Sequence, residues 1–321
     1  MKTITNIIYS MFAVFTLTCF AFAQQAPDSV SIRVITTFDY PGTGNSTLPQ
    51  KINDAGDIVV VYNDSSDVSR GFVRFSNGNF SAPIVAPNDT CNVTEGRGLN
   101  NSRLICGSYQ NGSDCLYHGY FLVGGNFSEF DVPDSVSTEV LGVNNAGDFC
   151  GDFTDATGLT QGFVSIGGTI TPFSVPGATI TIAVGLNSSN QTVGIYLTDS
   201  GNRGFWRGSN GVLHLVDAPG SAATLLFAIN DSNWVVGRYM TADGVTHGLF
   251  FVPPNRFFTF DYPGSTFTSF NGINRDGFIC GRYRDASGIG HGIIARVRVG
   301  AAANEEGTEM KATIPGRSSL Q

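Results

Sequence analysis

Four ionisable side chains have the types and the spacing to do chemistry. Glu95 and Glu139 are carboxylates 44 residues apart, Arg97 stands two residues after Glu95, and Lys51 precedes all three in the chain. Paired carboxylates serve glycoside hydrolysis, in which one acts as an acid and the other as a base or nucleophile. The same groups can bind a cation or the hydroxyl groups of a sugar. The plainer interpretation, which the sequence favours, is a solvated channel in which Arg97 and Lys51 form salt bridges with the carboxylates.

No established catalytic motif accompanies these residues. The chain has no Gly-x-Ser-x-Gly, His-Glu-x-x-His or P-loop sequence, which are short motifs that mark hydrolases, metalloproteases and nucleotide-binding proteins. We therefore predict no catalytic residue, no cofactor and no metal, and we assign Glu95, Arg97, Glu139 and Lys51 to ligand binding. A glycan-directed hydrolase or lyase that uses Glu95 and Glu139 is the alternative.

An internal repeat defines the elements that must position these side chains. An apolar residue followed by asparagine recurs at intervals of 43 to 47 residues. A glycine followed by a large apolar residue, as in Gly162-Phe163, and a turn that contains proline recur in the same register. The repeat asparagines are Asn53, Asn100, Asn144, Asn187, Asn230 and Asn274. Such a period indicates six copies of one structural unit.

Each unit contains four strand-like segments. In the third unit we predict strands over residues 137–144, 148–153, 161–166 and 169–175. The turn between the first two has the sequence Asn144-Asn145-Ala146-Gly147, in which asparagine bonds to its own backbone and glycine takes a positive φ. No segment after the N-terminal leader shows sustained helical periodicity, so the sequence predicts an all-β fold.

The chain ends indicate how the units are arranged. Four antiparallel strands per unit, repeated radially, are typical of a β-propeller. The sixth unit lacks a fourth strand, and an unmatched strand, residues 29–38, precedes the first unit. We therefore predict a six-bladed β-propeller with four-stranded blades, closed when the N-terminal strand pairs with the last blade, which leaves no unpaired edge. A β-solenoid or two stacked sandwiches are the alternatives, because periodicity alone does not prove closure.

Differences between the copies place the candidate site on the innermost strands. Five residues before the repeat asparagine, the copies read Leu48, Glu95, Glu139, Ile182, Leu225 and Ser269. Three residues before it, they read Gln50, Arg97, Leu141, Val184, Phe227 and Asn271. Polar groups thus gather in the first three units, and we expect Glu95 and Glu139 on neighbouring blades near the mouth of the channel.

The cysteines fall into two classes. Cys106, Cys150 and Cys280 share one repeat position with valines of the sister copies, which is typical of buried core residues. Cys91 and Cys115 have no counterparts, and the connections that carry them emerge on one face of a propeller. We therefore predict a Cys91–Cys115 disulfide in an oxidising compartment.

Histidines and turn aspartates also recur. His118, His247 and His291 share one slot that faces aspartates of the turns. A His–Asp hydrogen bond that ties strands together is favoured over metal binding or acid–base chemistry. The turn aspartates would suit Ca²⁺, but none has the full Asp-x-Asp-x-Asp-Gly sequence, so simple turn chemistry is favoured.

Both ends of the chain depart from the repeat. Residues 1–23 combine a lysine, an apolar run and Ala21-Phe22-Ala23, which predicts a signal peptide cleaved after Ala23 and a secreted protein, periplasmic or extracellular. An uncleaved membrane anchor is the alternative. Residues 24–300 are assigned to the propeller, and residues 301–321 are predicted to be a disordered tail.

Composition excludes one class of partner. Charged residues make up 14% of the chain and the net charge is −8, whereas a nucleic-acid backbone is bound by a clustered basic face. Beyond the leader, no segment has the run of about 20 apolar residues that crosses a bilayer. We predict no nucleic-acid partner, no membrane insertion and a monomer.

The repeat resembles a known family. Its pattern is Gly-Ile-Asn-x-x-Gly, Cys/Val-Gly-x-Tyr, Asp-x-x-Gly and His-Gly-apolar, matched best by Ile279-Cys280-Gly281-Arg282-Tyr283, Asp285 and His291-Gly292-Ile293. This pattern resembles the bacterial extracellular repeats named for a His-Ala-Phe tripeptide, the HAF-type repeats. Glycine replaces the alanine throughout, and Arg70, Gln161 and Arg203 replace the histidine in three copies.

The resemblance implies an exported, propeller-like repeat protein and brings no settled activity. The residues themselves offer varied loops and no catalytic set. We therefore predict a module that binds a carbohydrate or an extracellular protein at the face that carries the blade-to-blade crossings.

Overall fold

The computed structural model describes residues 29–41, 46–63 and 68–300, and the backbone of residues 310–311. The predicted signal peptide lies outside the described residues, and so does the predicted tail apart from residues 310–311. The described residues form 24 strands and no helix, so the prediction of an all-β fold is confirmed. No helix that could span a membrane occurs among them.

The strands after β1 (Val30–Phe38) form successive antiparallel units, each led by the strand that runs into a repeat asparagine. Unit 1 contains β2 (Ser46–Ile52), β3 (Ile58–Asn63) and β4 (Ser69–Arg74). Unit 2 contains β5 (Val93–Leu99), β6 (Ile105–Asn111), β7 (Leu116–Val123) and β8 (Asn126–Phe130). Unit 3 contains β9 (Ser135–Val143), β10 (Phe149–Asp155), β11 (Thr160–Ile166) and β12 (Thr169–Phe173).

The second half of the chain repeats the same order. Unit 4 contains β13 (Ile180–Leu186), β14 (Thr192–Thr198), β15 (Gly201–Arg207) and β16 (Leu213–Val216). Unit 5 contains β17 (Ala223–Ile229), β18 (Val235–Met240), β19 (Thr246–Val252) and β20 (Arg256–Phe260). Unit 6 contains β21 (Thr268–Ile273), β22 (Phe278–Arg284) and β23 (Gly290–Val299). The strands of unit 3 begin and end within about two residues of the predicted bounds.

The first and last units differ from the others at their outer edges. In unit 1 the fourth strand is reduced to isolated bridges from Arg74 to Phe80 and from Gly71 to Ile84. In unit 6 the fourth position is filled by β1, which pairs antiparallel with β23 from Val30 opposite Val299 onward. A short strand, β24 (Met310–Lys311), pairs with the other edge of β1, within the segment predicted to be disordered.

Local turn chemistry explains why each innermost strand ends where it does. The Asn144 side-chain oxygen accepts hydrogen bonds from the backbone N–H groups of Ala146 at 2.9 Å and Asp148 at 3.0 Å. Gly147 then takes a positive φ of 87°, which glycine adopts without the steric cost that a Cβ imposes. The side chain of asparagine thus replaces a backbone partner and reverses the chain in four residues.

The same asparagines also join neighbouring units. Each donates from Nδ2 to the backbone oxygen of the equivalent asparagine in the next unit, at 3.0 to 3.4 Å. The bonds run from Asn53 to Asn100, Asn100 to Asn144, Asn144 to Asn187, Asn187 to Asn230, Asn230 to Asn274 and Asn274 to Asn53. These amides are buried, so they are committed to holding neighbouring units together.

A buried threonine fixes the entry into every innermost strand. Its hydroxyl oxygen accepts a hydrogen bond from the backbone N–H of the proline turn that precedes the strand. The pairs are Tyr40–Thr47, Ala86–Thr94, Val132–Thr138, Val175–Thr181, Ala218–Thr224 and Tyr262–Thr268, at 2.9 to 3.2 Å. A buried N–H without a partner is costly, so this threonine holds each crossing against the strand that follows.

The hydrophobic core lies between units. Leu226 and Leu249 of unit 5 pack in one cluster with Val193 of unit 4, and Ile52 of unit 1 packs with Cys280 of unit 6. These cores cover sheet faces where neighbouring units meet, which agrees with the low charge of the chain. The cysteines at positions 106, 150 and 280 are free and buried, as predicted for core residues.

Candidate ligand-binding site

A cavity of about 290 Å³ lies among the innermost strands, on the side where these strands begin. Three of the four side chains assigned to ligand binding line it, namely Lys51, Arg97 and Glu139. The fourth, Glu95, contacts Arg97 directly. The structure thus brings the four predicted residues to one region of the channel.

A bulge in each innermost strand aims one side chain at this cavity. In unit 2 the pairing of β5 with β6 skips Arg97, because Gly96 faces Gly107 and Gly98 faces Cys106. Every other unit shows the same irregularity at the same position. A bulge leaves one residue outside the ladder and re-aims its side chain. The residues so placed are Gln50, Arg97, Leu141, Val184, Phe227 and Asn271, and all six line the cavity.

Units 2 and 3 supply an acidic wall. Arg97 forms an ion pair with Glu95, whose carboxylate also accepts a hydrogen bond from the Ser69 hydroxyl at 2.7 Å. Glu139 accepts one from the Ser108 hydroxyl at 3.2 Å. The Arg97 salt bridge that the sequence favours is therefore present.

Glu139 faces a third carboxylate across the sheet. Its partner in the β9–β10 ladder is Asp152, which is buried. Burial raises the pKa of Glu139, and Glu95 raises it further while Arg97 opposes the shift. Burial also raises the pKa of Asp152 well above its usual range, with Glu139 adding to the effect. Burial and mutual repulsion therefore disfavour the state in which both carboxyl groups are charged.

Lys51 does not join this acidic wall. Its ammonium group donates to the backbone oxygen of Phe227 at 2.9 Å and to that of Asn271 at 3.4 Å. Among the described residues it forms no ion pair, so the predicted salt bridge through Lys51 is wrong. Burial of the ammonium group lowers the pKa of Lys51 to about 8. The side chain extends from unit 1 to units 5 and 6. It therefore places in the channel an ammonium group that loses its proton more easily than an exposed lysine does.

Units 5 and 6 supply a basic wall that sequence reasoning missed. Arg238 and Arg282 line the cavity from the second strands of their units, where they face Leu225 and Ser269 across the sheet. The sequence does mark this position: it is the variable residue directly before the recurring aromatic residue of the second strand. That residue is Val61, Ser108, Asp152, Ile195, Arg238 and Arg282 in the successive units.

Apolar side chains fill the gaps between these two walls. Ile182, Val184 and Ile195 of unit 4 and Leu48 of unit 1 line the cavity on opposite sides. The arrangement offers carboxylates on one side, guanidinium groups on the other and apolar surface between them. Such a mixture of apolar lining and a few placed polar groups is typical of small-ligand sites.

The histidine slot has the structural role that the sequence favours. His118 bonds to Asp131, His247 to Asp261 and His291 to Asp39, each through Nδ1 at 2.9 Å. His118, Asp131 and Glu129 also bring their ligand atoms within 4.8 Å of one another, the spacing of a metal site.

Both contacts of that cluster, His118 with Asp131 and Tyr109 with Glu129, have equivalents in unit 5. The first corresponds to the bond between His247 and Asp261. The bond from Tyr109 to Glu129 corresponds to the contact between Tyr239 and Thr259 in unit 5, where threonine replaces the carboxylate. We therefore interpret the cluster as strand-to-strand packing.

The predicted disulfide is confirmed. Cys91 and Cys115 are bonded, with a Cα–Cα distance of 5.9 Å. The bridge ties the crossing between units 1 and 2 to the turn between β6 and β7. It therefore stabilises the loops near the acidic wall without contributing a side chain to the cavity.

Comparison with solved structures identifies the class of fold. The chain is similar to a mutant Aleuria aurantia lectin in complex with Fucα1-6GlcNAc, with 12% identity and a TM-score of 0.51 over 82% of this chain and 98% of that one. A second structure of that lectin, described as a six-bladed β-propeller with a novel fucose recognition mode, matches at 10% identity with a TM-score of 0.44, over 84% of this chain and 97% of that one.

A Trypanosoma rangeli sialidase in complex with sialic acid matches at 11% identity with a TM-score of 0.47, over 82% of this chain and 57% of that one. No protein-family model and no curated protein matches the chain. At these identities the likeness to the lectin shows a shared β-propeller fold alone.

Proposed function

We propose that the chain is a six-bladed β-propeller, closed by β1, which binds carbohydrate in the cavity between the acidic and basic walls. Closure is supported by the β1–β23 ladder and by the hydrogen bond from Asn274 of unit 6 to Asn53 of unit 1. It is also supported by the shared core of units 6 and 1. A ring of this kind holds the cavity-lining residues of distant units at fixed separations.

The observation that carries the binding function is the composition of the cavity. Carboxylate oxygens accept hydrogen bonds from sugar hydroxyl groups, guanidinium N–H groups donate to sugar oxygens, and Phe227 and Ile182 offer apolar surface to the C–H faces of a pyranose. The solved lectin that shares the fold binds a fucosylated disaccharide, and we extend the carbohydrate class, but no particular sugar, to this chain.

Export is part of the same proposal. The apolar leader over residues 1–23 and the Cys91–Cys115 bridge are both typical of a protein that folds outside the cytosol. Membership of the HAF-type extracellular repeats would agree with this location.

A glycan array followed by calorimetric titration tests the binding function. We expect the mature protein to bind at least one class of glycan and expect Glu139→Gln to weaken that binding at least tenfold, because an amide NH2 group replaces a carboxyl oxygen that accepts from sugar hydroxyl groups. The same substitution at Glu129, on outer strand β8 and away from the cavity, serves as the matched control. Failure to bind any glycan, or equal losses in the two variants, would contradict the proposal.

A hydrolase or lyase is the second candidate, and one observation favours it. Burial raises the pKa of Glu139, while Glu95 is held in an ion pair with Arg97. Two carboxylates in unlike environments are the arrangement that assigns one to acid and the other to base or nucleophile. Under this alternative, Glu139→Gln abolishes turnover of a bound glycan and leaves the melting temperature unchanged or higher. If a glycan that binds the wild-type protein is recovered uncleaved after prolonged incubation, the alternative is excluded for that glycan.

A further inference from the structure

Two arginines in the cavity have no counter-ion. Arg238 and Arg282 occupy the same position of units 5 and 6, each directly after the glycine of the second strand. Within the described part of the chain neither forms an ion pair, and the Arg282 Nε is buried without a hydrogen-bond acceptor. Arg70 and Arg203, by contrast, each pair with an aspartate. The two guanidinium groups therefore stand in a partly desolvated wall with unused donors.

One aromatic ring holds the two guanidinium groups together. The Arg282 guanidinium carbon lies 4.9 Å from the centre of the Phe267 ring and that of Arg238 lies 5.5 Å from it. Arg238 also lies 5.3 Å from the Phe227 ring, and the exposed Arg284 reaches Phe267 at 4.5 Å. Contact with an aromatic face attracts a guanidinium group and leaves its N–H edge available for a planar acceptor.

The positive charges are crowded as well as unpaired. The pKa of Arg238 is lowered to about 10, first by burial and then by the charge of Arg284. The pKa of Arg282 is also lowered to about 10, first by burial and then by Arg238 and Arg284. Each group stays protonated at neutral pH, but a bound anion would relieve the repulsion. This repulsion agrees with the position of the two arginines, which both direct guanidinium N–H groups toward one cavity.

The acidic wall does not serve as that anion. Glu95 is already paired with Arg97, and Glu139 is bonded to Ser108 and faces Asp152 across the sheet. These groups belong to units 2 and 3, whereas the two arginines belong to units 5 and 6. The acidic wall therefore leaves the two arginines without a counter-ion.

We infer that Arg238 and Arg282 form a carboxylate subsite, and that the saccharide of the proposed function is acidic, with a uronate as its recognition unit. This inference rests on the proposed function. The uronate carboxylate accepts hydrogen bonds from the N–H groups of both guanidinium groups. The hydroxyl groups of the sugar ring reach the acidic wall on the other side. A planar carboxylate matches the fork of an arginine in a bidentate pair, and a volume of about 290 Å³ is near the lower end for a small-ligand pocket.

Titration with matched sugars tests the inference. D-glucuronate and D-glucose differ only at carbon 6, so calorimetry with the mature protein isolates the contribution of the carboxylate. We expect glucuronate to bind at least tenfold more tightly than glucose and expect Arg282→Gln to abolish that preference. Arg282→Lys keeps the charge and loses the fork, so we expect it to retain only part of the preference. Arg33→Gln, on the exposed face of outer strand β1, is the control and should retain all of it.

A second probe separates the subsite from the saccharide. Acetate carries the carboxylate alone, and its binding is followed through the Nε–H resonances of the arginines in a nitrogen-15 spectrum. Circular dichroism melts establish that each variant is folded.

The outcomes of the two titrations are distinct. Equal binding of glucuronate and glucose, unaffected by Arg282→Gln, would overturn the subsite and leave the proposed carbohydrate function standing. Acetate binding to Arg238 and Arg282 without binding of any sugar would keep the carboxylate site and overturn the carbohydrate function. If neither acetate nor a sugar binds, both are wrong.

Discussion

Asp152 carries a carboxyl group into a wall of the channel that disfavours its charge. The side chain is buried, and its Oδ1 has no hydrogen-bond partner within the described residues. Glu139 stands opposite it on the neighbouring strand. An unpaired carboxylate in such a place destabilises the fold unless it is protonated. Asp152 is therefore a residue through which the stability of the protein depends on pH.

The sign of that dependence follows from linkage. The pKa of Asp152 is raised above its ordinary value of 3.8 in the folded state, so the folded protein holds a proton that the unfolded chain releases. The contribution of this residue to the free energy of unfolding therefore falls as pH rises from about 3.8 through the raised pKa. We expect Asp152→Asn to raise the free energy of unfolding at pH 7 and to have much less effect at pH 4. Urea titrations at the two pH values measure the difference.

Asp155, three residues further along, is the control for this prediction. Its pKa is lowered, first by the hydrogen bond from the Thr157 hydroxyl, so its contribution is present above the ordinary pKa and is lost as pH falls. Asp155→Asn should therefore remove stability at pH 7 or leave it unchanged. If both substitutions shift stability in the same direction at pH 7, the assignment of a raised pKa to Asp152 is wrong.

Single residues in the cavity could be predicted where they depart from the other copies on the innermost strand. Glu95, Arg97 and Glu139 stood out because apolar residues fill their positions in most sister copies. Arg238 and Arg282 did not stand out, because their position on the second strand has no consensus residue among the six units. The contacts of Lys51 with units 5 and 6 depend on the arrangement of units around the channel, which no local pattern contains.

Each innermost strand depends on the threonine at its start. Thr181 of β13 accepts the backbone N–H of Val175 at 3.0 Å, and both residues are buried. Valine has nearly the shape of threonine and lacks the acceptor. We expect Thr181→Val to lower the free energy of unfolding by about 1–3 kcal/mol, the cost of leaving a buried N–H unsatisfied. Thermal and urea denaturation measure it.

Thr171→Val is the matched substitution on exposed outer strand β12. Valine is at least as favourable as threonine in a strand, so we expect a change within about 0.5 kcal/mol. Comparable losses at the two positions would mean that the hydroxyl of Thr181 has no special role in holding the crossing.

Strands were predictable and their irregularities were not. The turn of Asn, two variable residues and Gly reverses the chain through local bonds, so the strand bounds of unit 3 lie within about two residues of those expected. The bulge that aims Arg97 into the channel leaves no such trace, because its position holds Gln, Arg, Leu, Val, Phe and Asn in the six units. A bulge fixed by backbone pairing rather than by residue type cannot be read from one sequence.

At the scale of the whole molecule, the polar walls are useful only if the units are fixed relative to one another. The asparagine bonds and the cores between units supply contacts from each unit to the next. A row of units without closure would fray from its two ends, since stability in repeat arrays is a sum over neighbours. A closed ring has no terminal unit from which unfolding can start, and it should therefore unfold in one step.

The β1 strand decides between these behaviours, and two isoleucines on it form a matched pair. Ile32 is fully buried in the core of units 5 and 6, whereas Ile35 on the same strand is 49% exposed. We expect Ile32→Ala to lower the free energy of unfolding by about 2–5 kcal/mol, the range for removing a buried aliphatic side chain, and Ile35→Ala to change it by under about 0.5 kcal/mol. A closed ring transmits the loss to every unit. The urea midpoint measured by far-ultraviolet circular dichroism should therefore fall together with the midpoint measured by tryptophan fluorescence, which reports on Trp206 in unit 4 and Trp234 in unit 5. The contrary result is that the Ile32→Ala variant unfolds in two steps, with a small early transition and then a main transition at the wild-type urea midpoint. That result would show that β1 caps one end of an open array.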